Sequence, residues 1–253
     1  MAPVEGFPPD MLRLAGRSLQ DIEHFDWGDL PPDATPLVKN CYRLSRTPLG
    51  EFTDEDLNEM IGQQTSLDSL MPIALGALGV DPWLEAGYLY PGALAATVSQ
   101  VEDDYWDTHP EQAAAFRTIV DSMLAVVKAD PWRIVPPYTE GLPGEATDAI
   151  TQIANGYWTA HPRQAAVLEA AVNGMLDTLE ADPGFVAAIN PAHMPGMALR
   201  AVRGFADRYW QAHPDQRARL DRIVARAWDM GLLREDWDGP RPTPPPPDTQ
   251  GTH

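Results

Sequence analysis

Three stretches of the chain write one pattern at a fixed interval. YWDTHPEQ begins at Tyr105, YWTAHPRQ at Tyr157 and YWQAHPDQ at Tyr209, two steps of 52 residues each. Self-similarity at such a period constrains the fold strongly, because it marks supersecondary units that bury their apolar faces against one another. Around each copy the apolar residues fall at helical spacing. Leu94, Val98, Val101, Tyr105 and Trp106 make one stripe, and Phe116, Ile119, Val120, Met123 and Leu124 make the next. The two or three residues before His-Pro leave room only for a tight return, so the two helices fold back as a hairpin. The expected fold class is all-α: stacked helical hairpins with three 52-residue repeats, over residues 93–132, 145–184 and 197–236. No run rich in Val, Ile and Thr alternates with polar residues, so strands are not expected.

The motif itself reads as a joint. Pro110, Pro162 and Pro214 suit the first position of a helix, where the fixed φ and missing N–H of proline cost nothing. His109, His161 and His213 are then N-cap residues. Gln112, Gln164 and Gln216 stand three positions on, where a side chain reaches back to the N-cap amide as in a capping box. Trp106, Trp158 and Trp210, each beside its Tyr, fill the elbow. A general base needs a partner carboxylate in one cleft, whereas this histidine occurs three times beside a turn-fixing proline. Successive repeats hold the histidines roughly 10 Å or more apart, too far to share a metal ion.

Residues 1–34 are rich in Pro, Gly and Asp and read as a mostly irregular N-terminal arm with a short helix within 11–25. The end, GPRPTPPPPDTQGTH over 239–253, reads as a disordered or polyproline-like tail. Between them, TDEDLNEMIGQQ carries a helix start: Thr53, then Asp54, Glu55 and Asp56 in the first turn, with Leu57, Met60 and Ile61 on one face. SLDSLMPIALGALGVDP follows as a second helix, with Pro72 expected near its first turn. The one cysteine, Cys41, excludes an intrachain disulfide and a cysteine metal cluster. The N-terminus lacks the pattern of a secretory leader, and the apolar runs are too short to span a bilayer, so the expected location is the cytoplasm.

Charge is uneven. The formal net charge is −19, and residues 47–116 contain thirteen acids and not one Lys or Arg. Asp54, Glu55, Asp56, Glu59, Asp68, Glu85, Asp103 and Asp104 belong to this block and form the candidate binding surface. A surface of this kind repels nucleic acid and anionic membrane and draws basic proteins toward it. No phosphate loop, nucleophile elbow, zinc helix or calcium loop is written anywhere in the chain, so no catalytic residue, metal or cofactor is expected.

The segment from Thr47, TPLGEFTDEDLNEMIGQQTSLDSLMPIALGALGVDPWLEAGYLYPGALAA, closed by YWDTHPE, carries Pro48-Leu49, Ile61-Gly62-Gln63, Leu67, Leu70, Pro72, Ala74-Leu75, Asp81-Pro82, Tyr90-Pro91-Gly92 and Tyr105-Trp106 in one order. It resembles the immunity proteins of bacterial contact-dependent growth inhibition systems. The chain departs from that pattern at Asn58 and Ala93 and continues for two further helical units. The resemblance implies an immunity-like helical domain over residues 35–110. It implies a protein without catalysis that binds and blocks the toxin domain of a cognate effector. With the acidic block, it makes a basic nuclease the expected toxin. A non-catalytic helical-repeat scaffold for protein partners is the other reading.

Overall fold

The computed structural model describes residues 6–87, 90–135, 142–186 and 196–238. Among them are fourteen α-helices and no strand, so the chain is all-α. The proline-rich stretch 239–253 lies outside the described residues.

The N-terminal part opens with a 3-10 turn, Pro9–Leu14, and α1, Leu19–Glu23, which starts at a capping box between Ser18 and Asp21. Although this stretch reads as an irregular arm, it is folded onto the body. Met11 and Leu19 are buried, and the amides of Leu49 and Gly50 donate to the carbonyls of Arg17 and Ala15 at 2.9 and 2.8 Å. The next helices are α2 (Pro36–Leu44), α3 (Asp54–Gly62) and α4 (Leu67–Val80). The expected start of α3 is present: Thr53 and Asp56 exchange capping-box hydrogen bonds, and Leu57, Met60 and Ile61 are fully buried. Pro72 is a correction. The helix begins at Leu67, after Ser66 in a left-handed turn, so Pro72 lies inside α4 and removes one internal donor there.

From residue 93 onward the helices come in three sets. The first is α5 (Ala93–Val98), α6 (Asp103–Thr108) and α7 (Pro110–Ala129). The second is α8 (Glu145–Thr151), α9 (Asn155–Ala160) and α10 (Pro162–Ala181). The third is α11 (Met197–Arg203), α12 (Asp207–Ala212) and α13 (Pro214–Asp229). The expected two-helix hairpin is therefore corrected to three helices, because the first limb breaks in two. The break is an extended residue ahead of the second short helix: Glu102, Ala154 and Ala206, with ψ 148°, 141° and 131°. A side chain from the preceding part of the chain satisfies the amide that the break exposes. Ala154 donates to Ser99 Oγ at 2.9 Å and Ala206 to Thr151 Oγ1 at 3.2 Å. Glu102 faces Gln64 Oε1 at 3.5 Å.

Each set is entered through a left-handed glycine, Gly92, Gly144 and Gly196, with φ +77°, +88° and +85°. α4, α7 and α10 end alike, on an extended aspartate (Asp81, Asp130, Asp182). The Oδ1 of each accepts from an amide two residues on, at Trp83, Trp132 and Gly184, at 2.9, 3.0 and 2.9 Å. α4 thus ends as a long helix of the series does. The packing is serial: α4 against α7, α7 against α10, and α10 against α13. One continuous apolar core runs from Met11 to Leu233. The far end is closed by α14 (Glu235–Asp238), where the Asp238 carboxylate accepts from Arg200 Nε at 2.8 Å and Nη2 at 2.9 Å.

Gly144 is the test of the entry turn. A Cβ there would sit 2.7 Å from Met175 Cε at a φ that L-residues avoid. Gly144→Ala should cost about 2 kcal/mol in urea unfolding. Gly16→Ala, where a Cβ meets nothing within 4 Å, should leave the midpoint unchanged.

Candidate functional site

The three joints share one geometry. His109, His161 and His213 take φ near −125° and ψ near 60° as N-caps of the long helices, with Pro110, Pro162 and Pro214 in the first turn. Each histidine Nδ1 lies 2.8–2.9 Å from the carbonyl of the tyrosine four residues earlier, which fixes the Nδ1–H tautomer because a carbonyl only accepts. Each ring also stacks on that tyrosine, at centroid distances of 4.1, 4.2 and 4.1 Å. His109 Nε2 is 3.3 Å from Asp68 Oδ1, and His213 Nε2 is 3.3 Å from Glu169 Oε1.

The capping-box reading of the glutamines is overturned. None of the three N-caps makes a side-chain cap bond. Instead the tyrosine hydroxyl donates to the glutamine Oε1, at 2.6 Å for Tyr105–Gln112, 2.8 Å for Tyr157–Gln164 and 2.6 Å for Tyr209–Gln216. Gln164 Nε2 then donates to the Arg117 carbonyl and Gln216 Nε2 to the Glu169 carbonyl, both at 3.2 Å and both on the preceding long helix. The tyrosine is better placed for the pair than the N-cap amide because the short helix lays its ring along the first turn of the long one. Burial pushes the Tyr105 hydroxyl up to about 12 and raises Tyr157 and Tyr209 as well, so all three remain neutral donors. Trp106 donates to the Val101 carbonyl at 3.1 Å, while Trp158 and Trp210 are buried.

The eight acids chosen from sequence divide into different environments. Asp56 is removed from the surface: it is buried, caps α3 through Thr53, and accepts from Arg43 Nη2 at 2.8 Å. Arg43 lies outside the acid-only block, which is why composition along the chain did not pair it. Glu59 accepts from Asn40 Nδ2 at 2.8 Å. Asp54 is half-buried, and burial raises its carboxyl, with Asp81 adding to the effect. Glu85 is half-buried beside Glu145, whose carboxyl is raised first by burial and further by Glu85. Glu55, Asp68, Asp103 and Asp104 are exposed. Asp68 lies where α6 meets the first turn of α4, through Tyr105 Oη to the Leu67 carbonyl and His109 to Asp68, while Asp103 and Asp104 stand in the first turn of α6. Glu55 sits apart, against Gly87.

Among the described residues no group of three or more His, Cys, Asp or Glu side chains is placed to hold a metal ion, and no helix is long and apolar enough to cross a membrane. The third set's arginines are drawn on by neighbouring acids: Arg219 bonds Asp177 and Glu180, and Arg200 and Arg203 bond Asp238.

Residues 21–116 match the model of a family described as CDI immunity proteins. This segment, less than half of the chain, carries the resemblance to the contact-dependent growth inhibition immunity family. It runs from within α1 through α2 to α6 and into the start of α7. No curated protein matches the chain, and no solved structure matches it.

One titration follows from burial in the second set. Asp148 is pushed up to about 6 by burial, against the pull of hydrogen bonds from Gln152 and Thr151. The fold therefore holds this proton more tightly than the unfolded chain, whose carboxyl titrates near 3.8. The stability contributed by the neutral form is full below pH 3.8 and lost as pH rises through about 6. Asp148→Asn should raise stability at pH 7 by on the order of 1–3 kcal/mol, with the gain vanishing near pH 3.5. Urea unfolding of variant and parent at the two pH values reads the difference directly.

Proposed function

We propose that the chain is an immunity protein that binds and neutralises the toxin domain of a cognate contact-dependent inhibition effector in the cytoplasm, without catalysis of its own. The observation that carries this reading is the family match over residues 21–116. That segment folds as the first part of the stack and presents exposed acids. The toxin is a nuclease with a basic cleft. Support comes from residues 47–116, which hold thirteen acids without a Lys or Arg, and from the exposure of Glu55, Asp68, Asp103 and Asp104. We assign these four to the toxin-facing surface, with Asp54, Glu59 and Glu85 at its margin. Asp56 serves the fold. The partner is a basic protein; this surface repels nucleic acid and anionic lipid.

The three helix sets are three copies of one 52-residue repeat. The equal spacing of left-handed glycines, tyrosine–glutamine pairs and histidine caps supports this. Two of these copies lie beyond the matched segment, and that observation favours a second reading, a helical scaffold that gathers protein partners without inhibiting them. Co-expression separates the two: an immunity protein restores growth to cells that make the toxin domain encoded beside it, and a scaffold does not.

Replacing Glu55, Asp68, Asp103 and Asp104 together by lysine should slow association with that toxin domain by about tenfold or more at low salt and flatten its salt dependence. Helicity should stay near the parental value and the unfolding midpoint should fall modestly, because Asp68 gives up its contact with His109 and lysines replace first-turn acids of α3 and α6. Association kinetics unchanged across a salt series would sink the electrostatic reading.

A further inference from the structure

We propose that Phe25 is the apolar anchor of the toxin interface. Its ring enters an apolar pocket on a basic toxin domain, and the acids beside it meet the cations around that pocket. The proposal rests on the immunity reading above and deepens it, since the family match over residues 21–116 includes this loop.

Among the described residues eight large apolar side chains are exposed, and three of them, Phe25, Leu30 and Leu37, fall within residues 25–37. Phe25 is the most exposed of the eight, at 61%. A lone apolar residue at a surface is ordinary. Phe25 is set apart by how firmly its loop is held. The chain turns off α1 at His24, which is left-handed at φ +53°, a conformation that L-residues seldom adopt. Asp26 Oδ1 then accepts from Gln20 Nε2 at 2.7 Å and from the Gly28 amide at 2.9 Å. Arg46 Nη2 lies 3.7 Å from the same carboxylate and donates to the Gly28 carbonyl at 2.8 Å. Trp27 packs edge-to-face on Tyr42 at 5.3 Å, and its carbonyl accepts from Tyr42 Oη at 3.2 Å. The loop thus uses one aromatic side chain to dock on α2 and leaves the other in solvent. An aromatic residue on a loop already fixed gives up little freedom on binding, which is what an interface anchor requires.

The surroundings define the partner. From Ser18 to Val38 the chain holds five acids, Asp21, Glu23, Asp26, Asp29 and Asp33, and no Lys or Arg. All five are exposed. A second copy related by a two-fold axis sets these acids against themselves, and like charges oppose that contact. A basic domain meets them with opposite charge. The loop also continues the acidic surface assigned above. Glu23 accepts from Ser66 Oγ at 3.1 Å and from Ser69 Oγ at 3.2 Å, which ties the end of α1 to the turn that carries Asp68. Phe25 follows two residues later, at most about 7 Å of chain away. Burial of the ring sets the lifetime of the complex, while the acids set its rate of formation.

The test titrates Phe25→Ala against the purified toxin domain encoded beside this chain, with association and dissociation followed across a salt series. The side chain is exposed, so the unfolding midpoint should stay at the parental value. Binding should weaken about tenfold or more, through faster dissociation, with the association rate and its salt dependence unchanged. Met230→Ala truncates a side chain 52% exposed at the far end of the stack and should bind as the parent does. Binding by Phe25→Ala within about twofold of the parent overturns the proposal, and so does an equal loss in Met230→Ala. Sedimentation of the protein alone tests the other occupant. A monomer is expected; a dimer that Phe25→Ala dissociates assigns the ring to a second copy and also overturns the proposal. If the parent itself does not bind the toxin domain, the immunity reading falls and the anchor with it. If the parent binds and Phe25→Ala binds equally well, the anchor alone falls.

Discussion

The hydrogen bond from a buried tyrosine to a glutamine on the next helix is the contact on which the stack depends. Tyr157 and Tyr209 orient Gln164 and Gln216, and each glutamine then bonds a backbone carbonyl on the long helix before it. A glutamine amide has one acceptor and two donors; here the acceptor is used within its own set and a donor is used across the junction. The side chain therefore fixes two geometries at once: the angle between short and long helix, and the register of one long helix on its predecessor. Gln164 and Gln216 are buried, so loss of either partner would strand a polar group in an apolar core.

The histidines around this contact are structural because their chemistry is already used. Nδ1 is committed to a carbonyl and the ring face to a tyrosine. What remains, Nε2, meets Asp68 at the first joint and Glu169 at the third. These carboxylates lie on the helix preceding each joint, so the histidines join neighbouring helices much as the glutamines do.

Much of this was legible in the sequence. Helical class, the start of α3 at Thr53, the buried face of Leu57, Met60 and Ile61, and the placement of each proline after its histidine all follow from local rules. Local rules also explain the misses. A capping box is a contact between residues three apart, and the sequence pattern at His-Pro-x-Gln satisfies it on paper. The glutamines turn away because a tyrosine seven residues earlier competes for the same acceptor. The broken first limb was hidden for the same reason: the hydroxyls that satisfy the amides of Ala154 and Ala206 are 55 residues away in the chain. Among the candidate acids, exposure followed sequence where the partner was water. It failed at Asp56, whose partner Arg43 lies just outside the stretch that looked uncompensated.

The donor and acceptor order at the helix breaks gives the stack a direction. Ser99 is needed to close the break at Ala154, and Thr151 to close the break at Ala206. Each set completes the one after it and asks nothing comparable in return. A chain emerging from the ribosome therefore presents every acceptor before its donor arrives, and each new set finds a finished template. Growth from the other end would expose unpaired amides at every step. The same polarity places the family-matched segment at the root of the structure, as the template on which the later sets depend.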